Sequence, residues 1–401
     1  MIENKSNREI FNEYQAPTSP YPLGLEIDYA KGVFMYGTDG KRYMDMISAI
    51  AVNNLGHCHP NVVKAVKDQV DKYMFVMVYG EFVQKPQTDL TRRLVSVLPE
   101  QLNCTYFVNS GTEANEAAVK LAKRYTGRAE IVSFRRSYHG NTQGSLSISG
   151  NEMKKNAFRP LLPGVRFIDF NKMEDLEQIT ENTAGVIMEP IQGDAGVRVP
   201  DVAYMKALRK RCDDVGAVLI FDEIQTGFGR TGKLFAFEHF GIVPDVITVA
   251  KGIAGGMPMG AFIGEREMMK TLSHDPILGH ITTFGGHPVS CAAADATLKT
   301  LIEENIIEDV ERKGQLIEDR LSVHPAVQEI RRKGLMFAID MKDFDLVNRI
   351  VMKCIERGVI TYWFLSTPNA FRLAPPLVIT DEEIHYACDV ILEVIEEEYK
   401  K

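Results

Sequence analysis

The sequence predicts an α/β fold: a large domain with a mostly parallel seven-stranded sheet between helices, plus a smaller α+β domain. Seven short, β-rich runs are read at residues 105–109, 130–134, 165–169, 185–189, 218–222, 245–250 and 260–264, most of them nearly continuous in apolar character, as strands buried on both faces are. Amphipathic helical patterns, such as residues 202–215, separate several of them. That alternation builds a parallel sheet between helical layers. From about Ala292 the character changes. Helical stretches at 292–304 and 307–321 lead into a strand at 334–341, a helix at 344–357 and a strand at 359–362. A last helix covers 381–399, with Thr380 as N-cap and acidic residues in its first turn. Near the start, residues 33–36, the turn Thr38-Asp39-Gly40 and residues 42–44 read as a hairpin. It is expected to pack with the C-terminal part.

The composition narrows the function classes. With 401 residues, 45% of them hydrophobic, the chain has enough apolar material to offset chain entropy, which excludes global disorder. Its net charge of −8 repels phosphate backbones and argues against nucleic acid as a partner. A locally positive pocket for a small phosphate remains compatible with that charge. The first residues lack the apolar stretch of a secretory signal, and no apolar run approaches the roughly 18–20 residues that span a bilayer. Six scattered cysteines without a CxxC pair read as reduced packing residues. His57, Cys58 and His59 are neighbours in one segment and converge poorly on one ion, so a turn before Pro60 is expected and no metal is. A cytoplasmic protein without a membrane partner is the expectation.

A strand running into Ser110-Gly111-Thr112 is followed at once by a helix whose apolar positions are Ala114, Ala117, Ala118, Leu121, Ala122 and Tyr125. The two hydroxyls, a glycine that permits close approach, and the positive end of the helix dipole favour an anion. A plain N-cap accounts for the same residues. A second glycine-rich stretch, Gly227 to Lys233, fits both GxGxxG and GxxxxGK. Position 234 is Leu where a nucleotide loop needs a hydroxyl, and Asp222 and Glu223 stand just upstream. It is expected to be a surface loop.

Asp222 and Lys251 each follow an apolar run, so both face the C-terminal edge of a parallel sheet, where ligands bind. A Lys against apolar strands loses solvation and its pKa falls, which suits a Schiff base with an aldehyde. A carboxylate beside it keeps a pyridine nitrogen protonated. With the phosphate cradle on the same rim, the three features fit pyridoxal 5′-phosphate. Taken singly, each residue also has an ordinary explanation, as ion pair, strand-end acid or core aromatic.

Seven ordered motifs then resemble the class III (subgroup II) PLP-dependent aminotransferases over almost the whole chain: SGTEANEAAVKLAKRYTGR from Ser110, SYHG from Ser137, EPIQG from Glu189, FDEIQTGFGRTGK from Phe221, AKGIAGGMPMGA from Ala250, TTFGGHP from Thr282 and FRLAPPL from Phe371. The resemblance is strongest to acetylornithine and ornithine aminotransferases. It implies fold type I, with a large PLP domain at 46–290, a small domain built from 1–45 and 291–401, and a homodimer. It implies that Lys251 is the Schiff-base and proton-shuttling lysine and that Asp222 partners the ring nitrogen. Gln225 would bond the phenolic oxygen, while Tyr138 and Ile224 would cover the two ring faces. Gly111 and Thr112, with Ser110 close by, would hold the phosphate. Thr283 would reach the phosphate of the neighbouring subunit, Glu189 would support Asp222 and His139, and Arg372 would grip a substrate carboxylate.

Three positions bear on the substrate. Asn141 stands where many members have a carboxylate-binding Arg. Asp194 stands where many have a Glu that pairs with Arg372, so that pair is expected to be loose or water-bridged. Ile50 lies in SAIAVNNLGH, similar to acetylornithine aminotransferases, where ornithine enzymes carry a Tyr. The implied activity is amino transfer from an acetylornithine-like or related ω-amino donor to a 2-oxo acid such as 2-oxoglutarate. The alternatives are another class III PLP enzyme: a 4-aminobutyrate or other ω-amine aminotransferase, an aminomutase, a decarboxylase or a phospho-lyase.

Overall fold

The computed structural model describes residues 2–400. Strands β1 (Ile27–Lys31), β2 (Phe34–Gly37) and β3 (Arg42–Asp45) form an antiparallel meander, so the hairpin is present and gains an extra strand in front of it. The central sheet follows: β4 (Cys104–Val108), β5 (Glu130–Phe134), β6 (Val165–Ile168), β7 (Thr183–Met188), β8 (Val218–Asp222), β9 (Val246–Val249) and β10 (Gly260–Gly264). Its order is β4-β10-β9-β8-β7-β5-β6. Only β10 is antiparallel to its neighbours β4 and β9. All residues of β7, β8, β9 and β10 are buried, which explains their lack of polar alternation. Helix Gly111–Thr126 packs on this sheet through Ala114, Ala117, Ala118, Leu121 and Ala122. Small side chains allow the close approach; a Cβ on Gly185 would sit 2.9 Å from that of Ala122.

The C-terminal part contributes β11 (Glu329–Lys333), β12 (Met336–Asp340), β13 (Val359–Ile360), β14 (Tyr362–Trp363) and β15 (Ala370–Leu373). Strands β11-β12-β15-β14 make an antiparallel sheet. The single strand expected at 359–362 is in fact divided at Thr361. Its first half, β13, runs parallel to β3, and its second half, β14, pairs with β15. Through β13 the N-terminal meander joins the C-terminal part. The last helix, Asp381–Tyr399, opens with a capping box between Thr380 and Glu383.

The glycine-rich stretch from Gly227 is not a surface loop. Phe228, Arg230 and Thr231 are almost completely buried. The Arg230 guanidinium donates to the carbonyls of Leu335 (2.9 Å) and Pro375 (2.5 Å) and to Asn54 Oδ1 (2.7 Å). Burial lowers its pKa to about 9, with Asp45 opposing. One guanidinium thus ties this loop to the segment after β3 and to the C-terminal part. Glycines mark turns; they carry no information on depth. Cys58 is likewise exposed, unlike the buried Cys212, Cys291, Cys354 and Cys388. His57 bonds Asp45 (2.9 Å) through Nε2, and Pro60 opens helix Pro60–Val70. No helix among the described residues is long and apolar enough to cross a membrane.

Candidate active site

Five parallel strands deliver side chains to one sheet edge: Ser110 after β4, Tyr138 and His139 after β5, Glu189 after β7, Asp222 ending β8 and Lys251 after β9. These, with Gly111, Thr112, Asn141, Ile224 and Gln225, line a cavity of about 450 Å³, a size that suits a small ligand. Val52, Asn109 and Met257 also line it; nothing in their residue types marked them. Ile50, Asp194, Arg372 and Thr283 do not line it.

At the cradle, Ser110 is the helix N-cap, its Oγ accepting from Glu113 N at 3.3 Å. Glu113 in turn accepts from Asn109 N at 2.7 Å. The cap leaves the helix end able to take an anion, because the N–H groups of Gly111 and Thr112 keep no intrahelical partner. Gly111 lets Ile224 come close: a Cβ there would lie 2.7 Å from Ile224 Cδ1, so a larger residue would displace that side chain. The Thr112 hydroxyl meets Thr142 Oγ1 at 2.8 Å and also contacts Ser145.

Asp222 is 4% exposed. Its Oδ2 receives His139 Nδ1 at 2.7 Å and Asn115 Nδ2 at 2.8 Å, and its Oδ1 receives Ile224 N at 3.1 Å. Lys251 adopts a left-handed backbone with φ 48°, costly for a non-glycine residue and typical of functional positions. Among the described residues its amine has no hydrogen bond or ion pair. Burial lowers its pKa, and Asp222 opposes that shift more than any other charge. Glu189 does not hydrogen-bond Asp222 or His139. Its two oxygens are taken by the N–H groups of Tyr138 and Gly193, both at 2.9 Å. Support of Asp222 falls to His139 and to Asn115, a residue that sequence reasoning missed.

Two buried carboxyls titrate high. Burial raises Glu189 to about 7, with His139 opposing and Asp222 adding to the rise. Burial raises Glu223 to about 7 as well, against hydrogen bonds from Thr226 and from the backbone at Ala236 and Phe237. The unfolded carboxyl ionises near 4.5, so stability from Glu223 is complete below that pH and is lost as pH rises toward 7. Glu223→Gln is expected to gain about 2 kcal/mol on the parent between pH 5 and pH 8 in chemical denaturation; parallel pH profiles would refute this.

Asp194 and Arg372 form a direct pair at 2.9 Å, not a loose one. The shorter acid reaches because β14 and the segment after it hold both partners. Leu365 N and Ser366 Oγ donate to Asp194 (3.1 and 2.8 Å), and Arg372 Nε donates to Trp363 O (3.1 Å). The guanidinium also lies 4.3 Å from the Phe364 ring centroid. Thr283 is exposed, away from the cavity of its own chain.

The sequence pattern of the class-III aminotransferases matches residues 14–395. The chain belongs to that family. This class-III aminotransferase is 38% identical to the acetylornithine aminotransferase of Methanopyrus kandleri, over 95% of the chain and 96% of that protein. It is 37% identical to a LysW-aminoadipate semialdehyde/glutamate semialdehyde transaminase of Sulfolobus acidocaldarius, over 92% and 94%. The ornithine aminotransferase of Toxoplasma gondii, whose crystals hold PLP at partial occupancy, superposes with a TM-score of 0.90 at 31% identity, over 98% and 95%. A Virgibacillus transaminase does so at 0.92 and 27%, over 98% of each chain. The aminotransferase depends on pyridoxal 5′-phosphate, and its cavity fits that group. Gly111 leaves room that a Cβ would fill, the buried Asp222 offers a carboxylate, and the Lys251 amine is unpaired.

Proposed function

We propose that this aminotransferase takes the amino group of an ω-amino donor, an acetylated ornithine or a related ω-amine, and passes it to a 2-oxo acid such as 2-oxoglutarate in alternating half-reactions. The layout of charge carries the reading. Among the described residues Lys251 is the one lysine or arginine lining the cavity, and Arg372 already holds Asp194. A donor reacting at its α-carbon needs a cation beside the reacting centre for its carboxylate; a donor reacting at a chain-end carbon does not. The name of the Methanopyrus kandleri relative supports the same class of donor.

PLP, when bound, supplies the aldehyde that takes the amino group and a ring that draws electrons from the carbon losing its proton. In our reading Lys251 binds the aldehyde carbon. Free of it, the Lys251 amine would carry the proton to and from the amine-bearing carbon. Asp222 holds the ring-nitrogen proton, with His139 behind it. Ser110, Gly111 and Thr112 bind the phosphate, and Gln225 donates to the phenolic oxygen. Tyr138 and Ile224 flank the ring and exclude water. Glu189 fixes the Tyr138 and Gly193 backbone. Arg372 takes the acceptor's α-carboxylate once Asp194 gives way, while Asn141 and Ile50 shape the donor's far end. The division into 46–290, against 1–45 with 291–401, and a cytoplasmic location belong to the same reading.

A second copy completes the site. Met74, Phe75, Phe82, Val83, Ile281 and Phe284 are exposed, and the Phe75 and Phe284 ring centroids lie 5.1 Å apart. Exposed apolar side chains that meet in this way mark an interface, and the exposed Thr283 directly precedes Phe284. Mixed dimers of Lys251→Ala and Thr283→Ala chains are expected to regain about a quarter of parental activity, because half are mixed and each mixed dimer has one whole site. No regain in dimers verified as mixed would contradict the shared site.

A donor panel tests the substrate reading. N-acetylornithine is expected to exceed ornithine and 4-aminobutyrate in kcat/KM by about tenfold or more, the scale of one well-used polar contact. Preference for either of the others would redirect it. Asn141→Arg is expected to lower KM for a dicarboxylic substrate by about tenfold through a charge-assisted bond; an unchanged KM would place that contact elsewhere.

A further inference from the structure

Behind Asp222 stands a polar group of three residues, two of which the proposed mechanism leaves unused. Asn115 belongs to the helix whose first turn carries Ser110, Gly111 and Thr112. Its neighbours in that helix, Ala114, Ala117 and Ala118, are buried apolar residues, and Asn115 is equally buried. Thr248 is on β9, where the sheet register pairs it with Asp222 on β8. It too is fully buried. Two polar side chains in the core need partners. Asn115 Nδ2 donates to His139 O and to Asp222 Oδ2, both at 2.8 Å, and Thr248 Oγ1 lies 2.7 Å from Asn115 Oδ1.

These contacts admit one orientation of the amide. The His139 carbonyl can only accept, so the NH₂ end must face it. Oδ1 is left to Thr248, whose hydroxyl must therefore donate. The Thr248 hydroxyl thus locks the amide, and the amide locks Asp222 Oδ2 beside the His139 ring. His139 Nδ1, 2.7 Å from the same oxygen, carries its proton toward the carboxylate. Glu189, Glu223 and Lys251 also feel the charge of Asp222, and none of them forms a hydrogen bond with it among the described residues.

We propose that Asn115, held by Thr248, is the positioning residue that fixes the Asp222 carboxylate for the ring nitrogen of PLP and couples it to the phosphate cradle on the same helix. This rests on the reading of Asp222 as the ring-nitrogen partner. Groups one shell behind a ligand commonly set its affinity by ten- to a hundredfold. The lock is coupled to the cradle because Asn115 follows Thr112 by three residues, so one helix turn serves both ends of the cofactor.

The test uses four full-length variants. Apoenzymes of the parent, Thr248→Val, Thr248→Ser, Asn115→Leu and Asp222→Ala are titrated with PLP. The loaded proteins are then examined by NMR with PLP 15N-labelled at the ring nitrogen. Thr248→Val removes a single hydroxyl at constant shape. It is expected to weaken PLP binding about tenfold and to move the ring-nitrogen resonance toward the unprotonated position. Thr248→Ser is expected to restore both, and Asn115→Leu to exceed Thr248→Val. A role in packing alone would not move the resonance. Parental affinity and resonance in folded Thr248→Val, beside a displaced resonance in Asp222→Ala, would overturn this proposal alone. An unmoved resonance in Asp222→Ala would overturn the Asp222 reading and this proposal with it.

Discussion

Lys251→Ala is expected to lose at least about four orders of magnitude in kcat, because one side chain is proposed to serve as both covalent anchor and proton carrier. The fold should survive. Alanine meets the same backbone requirement at φ 48° as lysine does, and no hydrogen bond or ion pair of the amine is lost. Removing a buried amine also removes a desolvation cost, since burial already depresses the Lys251 pKa. The check is mass spectrometry after borohydride reduction of the PLP-loaded protein. The parent should carry the reduced cofactor on the peptide containing Lys251, and Lys251→Ala should carry none. A covalent adduct retained in Lys251→Ala would place the anchor on another residue.

Asp222→Ala is the second large effect, expected at about a thousandfold in kcat/KM, the scale of a lost preorganised electrostatic contact in a water-poor site. Three donors would lose their acceptor together: His139 Nδ1, Asn115 Nδ2 and Ile224 N. Each buried unpaired donor costs about 1–3 kcal/mol, so a lower Tm accompanies the lost activity. Asp222 is also the leading charge opposing the depression of Lys251. Its removal lowers the Lys251 pKa further, and the acid limb of the pH profile should move to lower pH. A profile that stays in place would separate the two residues.

Much of this site is legible in the amino-acid order because strand ends are. Ser110, Glu189, Asp222 and Lys251 each follow an apolar run, and parallel topology sends all of them to one edge. Asn115 and Thr248 were not legible. A polar residue inside an apolar pattern looks like an ordinary irregularity until a partner from a distant strand explains it. Arg230 misled for a related reason, since its three acceptors come from positions far apart in the chain. The split of 359–362 between two sheets leaves no local mark, because both halves are short and apolar. The Asp194–Arg372 contact depended on Trp363, Leu365 and Ser366, whose motif-free segment gave no reason to expect that they hold both partners. Thr283 is different in kind: its motif marks it, yet its own chain leaves it exposed and away from the cavity, and the proposed second copy is what would bring it to one.

The most direct test follows one nitrogen atom. N-acetylornithine labelled with 15N at its terminal amine is incubated with PLP-loaded protein, first alone and then with 2-oxoglutarate. Amino transfer in two half-reactions predicts that about one label per site is first held by the protein, and that the same label then appears in glutamate with no carbon dioxide or phosphate released. Label that stays in the donor, or release of carbon dioxide or phosphate without labelled glutamate, would contradict the account.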